Sequence, residues 1–165
     1  MDVQPGIVDR IPEKDEYLDR LMPAIESARE RQIPVIFVVV GFRPGAPEAT
    51  GMFKERAGML TDPRPVIDLK EGEVLVTKRR VSAFTGSDLE VILRAQGIRH
   101  LVLTGLATGG VVLSTLREAA DKDYQLTVLS DLCADFDSEV HRLLVEKVFP
   151  RQAAVMTAGE WTQPA

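Results

Sequence analysis

Thiols and imidazoles are scarce in this chain, and positive charge is outweighed by negative. Its 165 residues include one cysteine, Cys133, and two histidines, His100 and His141. A lone thiol excludes an internal disulfide framework and suits a reducing compartment. The two histidines are far apart in sequence, and neither stands at zinc-ligand spacing with a carboxylate. No metal site is therefore expected, and no cofactor is implied. Against 25 Asp and Glu there are 20 Lys and Arg, a net charge of −5. With no basic stripe and no basic–aromatic alternation, that balance argues against a nucleic-acid footprint. The longest apolar run, Ile33 to Val40, contains a proline. It falls far short of the ~20 residues that span a bilayer. No charged start followed by an apolar stretch marks a signal peptide. The expectation is a cytoplasmic protein with neither a membrane nor a nucleic-acid partner.

What is present is an apolar content of 45%, too rich for disorder, in a length that suits one domain, residues 1–165, around one core. Tyr17, Leu18, Leu21, Met22, Ile25 and Ala28 recur at helical spacing and predict a helix from about Glu13 to Arg31, kinked or opened at Pro23. Pro34 to Val40 is a continuous β-branched run, as in a strand buried on both faces, and Gly41 ends it. Phe42 to Lys70 is irregular and rich in proline and glycine, with one short helix near Met52 to Met59. Further strands are expected at Glu73–Thr77, His100–Thr104, Gln125–Leu129 and Ala153–Met156. Helices fall between them. One is capped by Ser87 or Asp88 and stops at Gly97, one runs from Val111 to Asp121, and one is capped by Asp137 or Ser138 and reaches Val148.

This alternation with short links predicts an α/β fold: a three-layer, doubly wound parallel sheet of about five or six strands with helices on both faces. The Ile33–Val40 and His100–Thr104 strands belong near its middle. The same pattern calls for a buried strand ahead of the first helix. Only Met1, Asp2 and Val3 stand there for it, so that strand is a stub, or the chain starts inside an element that was once longer.

In such sheets, ligands bind beyond the carboxyl ends of the strands. Three segments put polar groups there: Asp2-Val3-Gln4, Thr77-Lys78-Arg79-Arg80, and Gly105-Leu106-Ala107-Thr108-Gly109-Gly110. The last leads straight into a helix, whose first N–H groups can face developing negative charge. A carboxylate and an ammonium brought to that spot would form an acid–base pair. Each segment alone has an ordinary structural explanation: a solvated terminus for Asp2, an exposed basic turn for Lys78, a tight turn for the glycines. Their common placement at strand ends favours a site.

These segments, in their order and spacing, resemble the isochorismatase-like cysteine hydrolases over nearly the whole chain. Asp2-Val3-Gln4 resembles that family's Asp-x-Gln signature. Lys78 with Ser82-Ala83-Phe84 and Gly86-Ser87-Asp88-Leu89 resembles its lysine segment. Thr104-Gly105-Leu106-Ala107-Thr108 with Val112-Leu113-Ser114-Thr115 resembles its nucleophile loop, and Asp121 to Ala134 resembles the strand and turn that follow. The resemblance implies a Rossmann-like, isochorismatase-like domain that assembles as a homodimer or higher homo-oligomer and acts on a small molecule. The irregular Phe42–Lys70 segment also needs a surface to cover it.

The resemblance further implies a triad of aspartate, lysine and cysteine, with an oxyanion site beside a non-proline cis peptide. Asp2 and Lys78 match. The cis bond would fall at Leu106–Ala107 or Ala107–Thr108, within the Leu106 to Gly110 loop. Val111, preceded by Gly110, stands where the nucleophile is expected, and neither can attack a carbonyl. Thr108 is expected to cap the helix, with Ser114 one turn into it. Cys133 is expected in an acidic turn with Asp131 and Asp135, which would keep its thiol protonated, so it reads as structural.

Two functions remain open. One is a hydrolase without a thiol nucleophile, in which Asp2 and Lys78 carry acid–base cleavage of a vinyl ether. Arg43, Arg79, Arg80 and Phe84 are then the candidates for substrate contact, the arginines for its carboxylates. The other is an inactive relative that binds a small molecule or a protein, with Val111 lining an apolar pocket.

Overall fold

The computed structural model describes residues 1–58, 60 and 62–163. After a single turn at Val8–Arg10, helix α1 spans Lys14–Glu30 and buries Tyr17, Leu21, Ala24, Ile25 and Ala28, the face set by their spacing. It is continuous through Pro23, where a kink or opening was expected. Strand β1 is Ile36–Val40, short helix α2 is Met52–Ala57, and strand β2 is Val74–Lys78. Met59, the expected end of α2, lies outside the described residues. Helix α3 (Leu89–Ala95) leads to strand β3 (His100–Leu106), and a π-helical turn at Thr108–Val112 opens helix α4 (Leu113–Asp121). Strand β4 runs from Gln125 to Ala134, helix α5 from Ser138 to Leu143, strand β5 from Ala154 to Met156, and helix α6 from Ala158 to Thr162. Asp137 caps α5 by accepting from the N–H groups of Glu139 and Val140.

Every strand pairing is parallel, β1 with β2, β3 with β4, and β4 with β5. The strands form two ladders, β2–β1 and β3–β4–β5. The N-terminal stretch ties them together. The Met1 ammonium donates to Thr104 O at 3.0 Å, and Met1 O accepts from Leu106 N at 3.1 Å. On its other side, Asp2 N donates to Val38 O at 2.7 Å. The stub thus stands between β1 and β3 and turns away at once, since Asp2 has φ 58° and Val3 O accepts from Val66 N.

Helices cover both faces. On one, Leu89 and Leu93 of α3 and Leu116 and Ala119 of α4 pack with Val38, Val76, Leu103 and Val128. On the other, Tyr17, Leu21 and Ile25 of α1 pack with Phe37, Leu106, Leu129 and Leu132. Neighbouring residues of one strand thus serve opposite layers, which is why these strands read as unbroken apolar runs. No helix among the described residues is long and apolar enough to cross a membrane.

Candidate active site

Strand ends converge as the sequence order requires. Lys78 is the last residue of β2 and sits opposite Val40 of β1. Asp2 lies on the far side of β1, held by its N–H on Val38. The lysine stem is long enough to pass the end of β1, and Lys78 Nζ stands 3.0 Å from Asp2 Oδ2. The ammonium also donates to Arg80 O at 2.9 Å. Both side chains are buried, 3% and 7% exposed, so the pair works in a medium where its attraction is little screened. The second carboxylate oxygen, Asp2 Oδ1, is buried with no partner among the described residues. Burial pushes the Asp2 carboxyl above its ordinary value, opposed by the Lys78 charge, its hydrogen bond and the Met1 ammonium.

A pocket of about 160 Å³ opens on this pair. Val40, Phe53, Leu106 and Val111 give it apolar walls, and Arg10 and Arg80 bring two guanidinium groups to it. Arg10 lies 4.2 Å from the centre of the Phe136 ring and Arg80 5.3 Å from that of Phe53. A larger cavity, of about 350 Å³, lies between the amino-terminal ends of β1 and β3 and brings no carboxylate to its walls. Of the two, the smaller pocket is the candidate site, because a carboxyl and an ammonium meet on its walls.

The loop after β3 forms one side of the pocket. The Leu106–Ala107 peptide is cis. A Cβ on Gly105 would collide with Met1 O, so glycine there is what lets the N-terminal stretch pair with β3. Leu106, Ala107, Gly110 and Val111 line the pocket. Two of the loop amides are already engaged: Gly109 N donates to Asp135 Oδ2 at 2.6 Å, and Gly110 N to Ala107 O at 3.0 Å. Neither is a free donor. Thr108 is buried, and its hydroxyl lies 2.8 Å from His141 Nδ1 instead of capping the helix. Burial holds His141 below its ordinary value, against the pull of Asp135.

The model of the isochorismatase domain matches residues 1–160. The chain belongs to the isochorismatase family. It is 32% identical to an uncharacterized isochorismatase family protein, YwoC, of Bacillus subtilis, over 99% of this chain and 90% of that protein. It is 33% identical to a probable isochorismatase of Pseudomonas chlororaphis, over 96% of this chain and 81% of the other. Among solved structures, an isochorismatase family protein from Burkholderia thailandensis superposes with a TM-score of 0.84 at 31% identity, covering 96% of this chain and 89% of that one.

In this member of the isochorismatase family, the other candidate residues are placed unevenly. Arg80 lines the pocket; Arg43, Arg79 and Phe84 are not among the lining residues. Arg43 is exposed and pairs with Glu48. Arg79 turns its guanidinium to Gly41 O at 2.8 Å. Phe84 is a core residue, 6.0 Å from Tyr124 between ring centres. Cys133 lies inside β4, not in a turn after it, because the strand runs on to Ala134 and pairs Cys133 with Gly105. Burial pushes its thiol up to about 12. Arg10 and Phe136 were missed. Phe136 follows the end of β4, and the strand-end rule finds it once β4 is taken to Ala134 instead of Leu129. Arg10 has no such signal, since it reaches the pocket from the short turn after the stub. No group of His, Cys, Asp and Glu among the described residues could hold a metal ion.

Proposed function

We propose that this protein is a hydrolase of a small anionic molecule that cleaves an enol ether by acid–base chemistry at Asp2, with Lys78 as its electrostatic partner and no thiol nucleophile. The buried Asp2–Lys78 contact of 3.0 Å beneath the pocket carries this reading. Burial biases Asp2 toward its neutral form, the state a general acid needs. The Asp2 proton goes to the terminal vinyl carbon, leaving an oxocarbenium ion and an aspartate stabilised by the Lys78 ammonium. Water adds to that cation, its proton returns to Asp2, and the hemiketal collapses to a ketone and an alcohol. Arg80 and Arg10 are suited to the substrate's carboxylates. Val111, in the position the family resemblance gives to the nucleophile, contributes only an apolar wall. The name of the Pseudomonas chlororaphis relative, a probable isochorismatase, supports this substrate class.

The second reading is a binding module, favoured by one observation. Val111, which has no nucleophilic atom, lines the pocket at the position the family resemblance gives to the nucleophile. A screen over enol ethers, amides and esters, with wild type, Asp2→Asn and Lys78→Met, separates the two. Enol-ether turnover lost in both variants supports the hydrolase. Ligand binding without turnover of any class supports the module. Self-association belongs to the same proposal, and the exposed Phe136, Val140 and Leu143 give it an apolar face. Light scattering at micromolar concentration tests it by the molar mass.

A further inference from the structure

Strands β3 and β4 leave the sheet side by side, with Leu106 opposite Ala134. The residues that follow each strand therefore start as neighbours. Asp135 follows β4, and its Oδ2 accepts from Gly109 N at 2.6 Å. Phe136 comes next and lines the pocket, and Asp137 after it caps α5. One turn into α5, His141 Nδ1 lies 2.8 Å from the Thr108 hydroxyl. Two consecutive residues of the turn that opens α4 are thus held from the β4–α5 side, and the acid–base chemistry uses neither tie.

Each tie has a physical basis. Thr108 is buried, so its hydroxyl needs a partner. Burial holds His141 below its ordinary value and so favours the neutral ring, whose Nδ1 can accept the hydroxyl proton. The Asp135 carboxylate accepts from a peptide N–H, a charge-assisted bond and the stronger kind. The fit is close as well. A Cβ on Gly109 would lie 3.1 Å from Val140 Cγ1 and 3.2 Å from Asp135 Oδ2, so the turn rests directly on α5. Pocket walls stand on either side of the two held residues. Ala107 precedes them and Gly110 and Val111 follow, and all three line the pocket with Asp2 and Lys78. Thr108 and Gly109 do not line it.

We propose that Asp135 and His141 are positioning residues: they fix Gly109 and Thr108 from outside the pocket and thereby set the wall of Ala107, Gly110 and Val111 against Asp2 and Lys78. Neither touches the reacting atoms. Their effect reaches the pocket through backbone one or two residues away, where a displacement of ~1 Å is enough to matter to chemistry. The helix end and the Lys78 ammonium act on position 111 only while that wall stays in place. The inference does not rest on the acid–base reading, because a thiol at position 111 reports the placement without substrate.

The test titrates the thiol of Val111→Cys in the full chain, with iodoacetamide rates followed across pH by mass spectrometry of the peptide that holds position 111. Exposure changes how fast the thiolate reacts, whereas placement against charge changes the pKa, so the pKa is the readout. The parent thiol is expected below the free value of about 8.5. Adding Asp135→Ala or His141→Leu is expected to raise it by about 1, a roughly tenfold loss of thiolate at a pH below it. Removing the Asp135 charge would by itself lower the thiol pKa, so a rise in Asp135→Ala has the opposite sign to simple electrostatics. Asp135→Asn and His141→Asn each keep an acceptor at the tie. His141→Asn is expected to hold the parent value, and Asp135→Asn to match it or lie below it. Thermal unfolding of every variant accompanies the titration. An unmoved pKa in Asp135→Ala or His141→Leu would make the residue structural and overturn the proposal, whatever the change in Tm. Asn variants that shift as far as the others, or a parent thiol already at the free value, would overturn it as well.

Discussion

The carboxamide of Gln4 pairs with the backbone of Val40 as a neighbouring strand would. Its Oε1 accepts from Val40 N at 2.7 Å, and its Nε2 donates to Val40 O at 3.0 Å. The chain has already turned away at Asp2, so a side chain completes the ladder that the backbone leaves. Gln4 thereby fixes the end of β1 around which Lys78 reaches Asp2. Gln4→Leu would leave both Val40 groups buried and unpaired. We expect a loss of roughly 2–4 kcal/mol in chemical denaturation. Gln4→Glu restores only the acceptor side and should recover less than half of it.

Asp2 and Lys78 form a buried pair, and such pairs are most costly when half is removed. Lys78→Met strands a carboxyl that already has one unpaired oxygen. Asp2→Asn leaves a buried ammonium with Arg80 O as its remaining partner. Each single change should destabilise by about 3 kcal/mol, while the double variant should recover part of the loss. Urea midpoints of the four proteins provide the cycle. Additive losses would mean that the two side chains are not coupled.

Much of this was legible because the signals were local. The β-branched run after Pro34, the helical spacing from Tyr17 to Ala28 and the glycine at position 97 each point to their element by residue type. The polar strand ends picked out Asp2 and Lys78, which the fold brings to 3.0 Å. What failed depended on tertiary context. β4 was expected to stop at Leu129, but it continues through Ser130 and Asp131, with the register shift between Leu103 and Gly105 accommodating the extra residues. Arginines adjacent in sequence diverge in space, so Arg80 faces the pocket while Arg79 turns to Gly41. Helix α6 went unread although Thr157 and Glu160 form a capping box, because five residues carry no period.

Acidity offers a test of the proposed mechanism. The Asp2 carboxyl lies above its ordinary value because it is buried, so its folded pKa exceeds its unfolded one. The stability it contributes is full below the unfolded pKa, near 3.9, and is lost as pH rises through the folded pKa. A general acid at this position loses activity over the same rise. The kcat/KM for an enol ether should therefore fall with increasing pH. The facing cations are Lys78 and the Met1 ammonium, and both hold the carboxyl down. In Lys78→Met, whatever activity remains should fall at a higher pH than in wild type. A limb that stays in place would remove Asp2 as the titrating acid.

The remaining question at position 111 is whether the site is altered or abandoned. Cys133 is buried, and its thiol is pushed up to about 12. The folded wild type should therefore resist alkylation at pH 8, and its activity should survive iodoacetamide. Val111 lines the pocket beside Lys78 and Asp2, in the turn that opens α4. A thiol placed there by Val111→Cys meets the amino end of a helix, where the dipole favours the thiolate, and an ammonium close by. It should react with iodoacetamide at least about tenfold faster than a free thiol, by the pKa control of thiolate content. Mass spectrometry of the modified peptide separates position 111 from Cys133. The added Lys78→Met change should cut the acceleration to what the helix end alone supplies, because the ammonium is one of its two sources. A Val111→Cys thiol no faster than free cysteine would mean that the charges around the pocket no longer act on that position, and the binding-module reading would then be preferred.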